Sequence, residues 1–100
     1  MTVTITQPDL EKAKLNLETS QIPWQELQRF FASGSALFIS PELDMVDVAY
    51  QMSVDNAQQI EHWLTTKQIA PVSDAQALTW YETDATVWAV VVKPWILIQE

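Results

Sequence analysis

The side chains that most often perform chemistry are thinly supplied in this sequence. It contains one histidine, His62, and no cysteine. A lone imidazole excludes a two-histidine metal site and an H-E-x-x-H zinc helix. Without cysteine there are no disulfides, no thiolate catalysis and no cysteine-based zinc site. His62 follows Glu61 and precedes Trp63, on the side of its segment away from the apolar stripe, and reads as a surface histidine. Gly34 is the sole glycine, so no glycine-rich phosphate cradle can be built. The Ser33-Gly-Ser35 stretch lacks the G-x-S-x-G pattern of a nucleophile elbow.

Carboxylates are the remaining resource, and Glu42, Asp44 and Asp47 form their densest cluster. Hard cations favour clustered oxygens, but no Gly-containing loop supplies Asp or Asn ligands at alternate positions here. Asp44 and Asp47 instead fall where a helix begins, and negative charge there is stabilised by about 0.3–1 kcal/mol. Capping is therefore the expected role. The residues carry no catalytic, cofactor-binding or metal-binding assignment.

A chain of 100 residues, 48% of them apolar, is expected to form one domain over residues 1–100. Five Lys and Arg stand against 13 Asp and Glu, for a formal net charge of -8. Phosphate backbones and anionic lipid surfaces repel such a body, which disfavours both as partners. Five tryptophans and the apolar share exclude a disordered acidic tail. The first residues, Met1 to Pro8, show no basic n-region, long apolar run or cleavage pattern, so no signal peptide is expected. The most apolar stretch, Val87–Ile98, is interrupted by Lys93 and Pro94 and falls well short of the roughly 20 residues that span a bilayer. A cytoplasmic protein is expected.

These residues must be positioned by a series of short elements. Thr6-Gln-Pro-Asp9 signals a helix start, followed by Leu10, Ala13 and Leu17 on one face. A second helix is expected with Pro23 in its first turn, lined by Trp24, Leu27, Phe30 and Phe31 and stopped by Gly34. Ala36–Ile39 reads as a strand closed by Ser40-Pro41. Asp44 opens a helix whose stripe is Met45, Val48, Ala49 and Met52. After a tight corner, Asp55-Asn-Ala-Gln58 is expected to cap another, striped by Ile60, Trp63 and Leu64. Ile69–Val72 reads as an edge strand, because Pro71 cannot donate to a ladder. Ser73-Asp-Ala-Gln76 caps a helix with Ala77, Trp80 and Tyr81 inward. Val87–Val92 and Trp95–Ile98 are apolar on both faces, the pattern of strands covered on two sides, with a bulge, bend or hairpin corner at Pro94.

The expectation is an α+β fold: a small, mainly antiparallel sheet of three to four strands with four to five helices. From Trp24 onward the order is that of a winged helix-turn-helix domain, with a helix over residues 74–83 where the wing would stand. In a DNA-binding reading the Asn56–Thr66 helix would enter a groove, presenting Asn56, Gln59, Glu61, His62, Thr65 and Thr66. Phosphate contacts need several Lys or Arg, and this segment offers only Lys67 beside Asp55 and Glu61. Packing is the expected use of that corner.

Leu15-Asn-Leu-Glu18, Trp24 with Glu26-Leu27, the block Ser40 to Ala49, Asp55-Asn56, Trp63 and the ending Trp88 to Gln99 together resemble a family of small bacterial proteins. That family is known as a domain of unknown function, family 2288. Its pattern tends to place a Gly after the Trp63 helix, where this chain has Lys67-Gln68. The resemblance implies a bacterial single-domain protein of a family without an assigned activity, and it carries over no catalytic residue.

The tryptophans remain. Trp24, Trp63 and Trp80 fall on helical stripes, where core packing explains them, while Trp88 and Trp95 lie in the terminal strands. A terminal strand apolar on both sides either sits mid-sheet under helices or is covered by another chain. The expected function is thus a non-catalytic protein-interaction module, a homodimer being one form of it. Its expected contact residues are Trp95, Leu97 and the acidic edge at Glu42 and Asp44. A winged-helix DNA-binding regulator and a small-molecule binder or enzyme are the alternatives, and no cofactor is expected.

Overall fold

The computed structural model describes the backbone of residues 7–100, with side chains from Leu10 onward. Helix α1 (Gln7–Glu18) leads into strand β1 (Ser20–Pro23), a 3-10 turn (Trp24–Leu27) and α2 (Gln28–Ala32). Then come β2 (Ala36–Ile39), α3 (Met45–Ser53), α4 (Ala57–Thr65), β3 (Ile69–Pro71), α5 (Asp74–Glu82), β4 (Thr86–Val92) and β5 (Trp95–Gln99). The five strands form one mixed sheet in the order β1-β4-β5-β2-β3. All neighbours are antiparallel except β2 and β5, which run parallel with Leu37 opposite Leu97. The α+β class stands, but the sheet has five strands rather than three to four and is mixed, one of its four pairings being parallel.

The added strand is β1. Ser20-Gln-Ile-Pro23 has one large apolar residue and no readable alternation, so its extended state is imposed by pairing along Thr86–Ala89 of β4. Pro23 therefore ends an edge strand and also caps the 3-10 turn that leads into α2, standing just before the helical segment rather than in its first turn. The opposite edge, β3, ends at Pro71 as expected, so both edges of the sheet are short and carry a proline.

Strand β5 lies at the centre. Ile96 and Ile98 point into one core with Trp24, Leu27, Ala77 and Trp80. Leu97 points into the other, with Leu15, Met45, Val48 and Trp63. Helices α1, α3 and α4 thus cover one face of the sheet, and the 3-10 turn, α2 and α5 cover the other. On the second face Trp24 meets Trp80 edge-on at 5.0 Å and Phe31 at 5.8 Å, a geometry that suits the ring quadrupoles. The chain passes from β4 to β5 through a hairpin with Val92 opposite Trp95, and the Lys93–Pro94 bond at its corner is cis.

Helix α1 departs from its expected face. Leu10 and Leu17 are exposed, and Leu15 is the residue it buries. Its Glu11, Lys12 and Leu15 side is the more buried one. Lys12 is paired with Asp47 at 3.1 Å and lies over the Tyr50 ring, so a charged stem does part of the packing on α3. The Thr6 cap lies outside the described residues.

Helix ends follow a common rule. At Gly34, Asp55, Lys67 and Asp84 φ is +76°, +57°, +62° and +52°, the left-handed region. At each, the next N–H reaches back to a carbonyl five residues earlier: Ser35 to Phe30, Asn56 to Gln51, Gln68 to Trp63 and Ala85 to Trp80, all at 2.8–3.0 Å. These are Schellman closures, which satisfy the last free carbonyls of α2, α3, α4 and α5. Because Asp55 is used to stop α3, the cap of α4 moves one residue on. Asn56, not Asp55, accepts from the Gln59 N–H, at 3.4 Å. The Asp44 cap, accepting from Val46 N at 3.0 Å, and the reciprocal Ser73–Gln76 box form as expected.

An L residue in the left-handed region is strained by about 1–2 kcal/mol, and open space surrounds Gly34. Gly34→Ala should therefore lower stability by about 1 kcal/mol, while Lys67→Gly should raise it by about 0.5–1 kcal/mol. Urea midpoints at unchanged m-value test both. Leu97→Ala, at the centre of the sheet, should cost about 2–5 kcal/mol in the same assay.

Candidate functional site

The four residues expected to touch a partner are not brought together. Glu42 and Asp44 are exposed on the loop that follows β2. The Gln99 side chain donates to the Ser40 and Leu43 carbonyls at 2.9 and 2.8 Å, tying that loop to the far end of β5. Asp44 is engaged as the α3 cap. Trp95 begins β5, so it stands about 13 Å from this loop at roughly 3.3 Å per residue. Leu97 is fully buried and has no surface to offer a partner. The helices cover β5 from both sides, which is why its apolarity does not mark a contact face.

Trp95 is different. It is 36% exposed, on the face covered by α4, where the helix layer ends before the hairpin tip does. Two hollows meet beside it. One, of about 430 Å³, lies between the start of α4 and the hairpin, reached by Asp55, Ala57, Glu61 and Lys93. The second, of about 280 Å³, lies toward Leu37, Ile69 and Pro71 and is nearly devoid of polar surface. Met52, Ile60, Leu64 and Trp95 line both, so the two form one groove running along α4.

Met52, Ile60 and Leu64 were expected on buried stripes. They are only partly covered, and Leu64 is 46% exposed. Strand β3 is three residues long, so the sheet under the second half of α4 is too narrow to bury the whole stripe. Tyr81 of α5 is likewise exposed rather than inward. The Ile60 and Leu64 pair at i, i+4 was the readable signal for the groove, but periodicity does not report how wide the covering surface is.

Charge sits at one end. Asp55 and Glu61 stand on the α4 lip and Lys93 on the hairpin lip, while the Leu37–Pro71 end has no charged residue. His62 and Thr65 are exposed on α4, and Thr66 is exposed at its C-cap. Among the described residues no three His, Cys, Asp or Glu side chains are grouped to hold a metal ion. Nor, among them, is any helix long and apolar enough to cross a membrane.

The family described as "Protein of unknown function (DUF2288)" matches residues 10–100. The chain belongs to this family. The chain is similar to PA1075 from Pseudomonas aeruginosa, an NMR solution structure, at 39% identity with a TM-score of 0.78. The likeness covers 100% of this chain and 93% of that chain. No curated protein matches the chain. After the Trp63 helix, Lys67 takes the left-handed closure without a glycine.

If the groove is a surface feature and not part of the core, Leu64→Glu should change stability by no more than about 0.5 kcal/mol. Trp63→Ala, one residue away but buried, should cost about 3–5 kcal/mol in the same denaturation series.

Proposed function

We propose that this chain is a non-catalytic, single-domain protein-interaction module of the bacterial cytoplasm, whose groove beside Trp95 receives a cationic amphipathic helix of a partner protein. The observation that carries this reading is the open apolar groove lined by Met52, Ile60, Leu64 and Trp95 on a body of net charge -8. A small domain gains stability by covering such residues, so their exposure side by side favours a contact role. Methionine and tryptophan suit it: the thioether adapts to different shapes, and the indole presents a large rigid face.

Charge selects the occupant. A second copy would bring another -8 and its own Asp55 and Glu61 to the same lip. A basic segment is instead drawn in at long range and finds carboxylates at the groove end. An extended segment would gain affinity from a free sheet edge. The backbones of β4 and β5 beside the groove are already paired, and β3 offers three residues ending in proline. The apolar face of a helix is the better fit.

A synthetic Leu/Lys amphipathic helical peptide, titrated into the labelled protein at low salt, should shift amide signals of α4 and the β4–β5 hairpin. Binding should weaken as salt rises, and Leu64→Glu should abolish it. Flat titrations, or binding that Leu64→Glu leaves intact, would overturn the reading. So would light scattering that shows a stable dimer closed over the same residues.

A further inference from the structure

The groove has two unlike ends, and that asymmetry carries more than the existence of a docking site. Asp55, Ala57 and Glu61 mark the start of α4, beside the first hollow. Leu64, Ile69 and Pro71 mark its end, beside the second, almost wholly apolar hollow. From Ala57 to Leu64 the helix rises about 10 Å, close to two turns. A docked helix therefore meets the apolar slot and the acidic lip with residues about seven positions apart.

Direction follows from the backbone dipoles. The N-terminal end of α4 carries positive partial charge and the C-terminal end of an incoming helix carries negative partial charge. Their alignment is favourable when the two helices run antiparallel. Basic residues near a helix C-terminus also stabilise that helix itself, and in this arrangement they arrive at Asp55 and Glu61. Lys93 on the opposite lip leaves the two carboxylates in excess there.

Resting on the docking reading above, we infer that the partner helix runs antiparallel to α4. Its large apolar residues come first and enter the slot by Leu37 and Pro71; a Lys or Arg about seven residues later reaches Glu61 and Asp55. The recognised feature is thus an ordered pattern, apolar then basic, and not amphipathicity alone.

The test uses end-blocked peptides of one composition, one with Leu at i, i+3 and i+4 and Lys at i+7 and i+8, the other with the order reversed. A nitroxide at the C-terminus of the first should broaden the amides of Ala57–Glu61 and Lys93 and spare Gly34 and Ile69. The reversed peptide, which can keep the same contacts only by docking parallel to α4, should bind about threefold more weakly, the size of a surface helix-dipole interaction. Replacing Lys by Gln at i+7 should weaken the first peptide by a similar factor, and a protein carrying both Asp55→Asn and Glu61→Gln should not respond to that replacement. Broadening at Gly34 and Ile69, or equally at both ends, overturns the direction while the docking site stands. Absence of binding by every peptide overturns both.

Discussion

The burial of β5 on both of its faces is the constraint on which the rest of the structure depends. A strand that projects Ile96 and Ile98 to one side and Leu97 to the other needs helices on both. Two-sided coverage sets the three-layer arrangement, with α1, α3 and α4 above the sheet and the 3-10 turn, α2 and α5 below. It also accounts for the pairing of β2 with β5, because a central strand needs neighbours on both edges. The two remaining edges are short and end in proline, so growth of the sheet stops there.

Helices this short need abrupt endings, since any overrun would move the next strand out of register. Four of them close through a residue with positive φ and the same pair of backbone hydrogen bonds. One of those positions is a glycine and two are aspartates, a residue type enriched in that region. Lys67 is held there by the surrounding bonds despite its side chain. The α3–α4 corner shows how closely spaced the signals are: one residue ends a helix and the next begins another.

Compactness leaves a residue of uncovered surface. Helix α4 has an apolar stripe longer than β3 can bury, and the β4–β5 hairpin extends beyond the helix layer. Both overhangs meet at Trp95, and the groove is the space between them. Its apolar floor and acidic lip differ in origin. The floor comes from a mismatch of lengths; the lip comes from Asp55, which ends α3, and Glu61, on an outer face of α4.

Much of the architecture was determined by the sequence itself, wherever the causes are local. The cap at Asp44, the box at Ser73, the stop at Gly34, the edge position of Pro71 and the two-sided apolarity of Ile96–Ile98 each depend on residues a few positions apart. Strand β1, the buried face of α1 and the shift of the α4 cap to Asn56 were decided by tertiary contacts. Ser20–Pro23 is extended because β4 offers it hydrogen bonds, and Lys12 turns inward because Asp47 and Tyr50 receive it. The same division holds for the site. Composition rules out cysteine chemistry and two-histidine sites and sets the charge, but only packing separates Leu97, enclosed at the centre of the sheet, from Trp95 two residues earlier at its open rim. Alternation along a strand tells which way a side chain points, and the length of the covering helix tells whether anything lies above it.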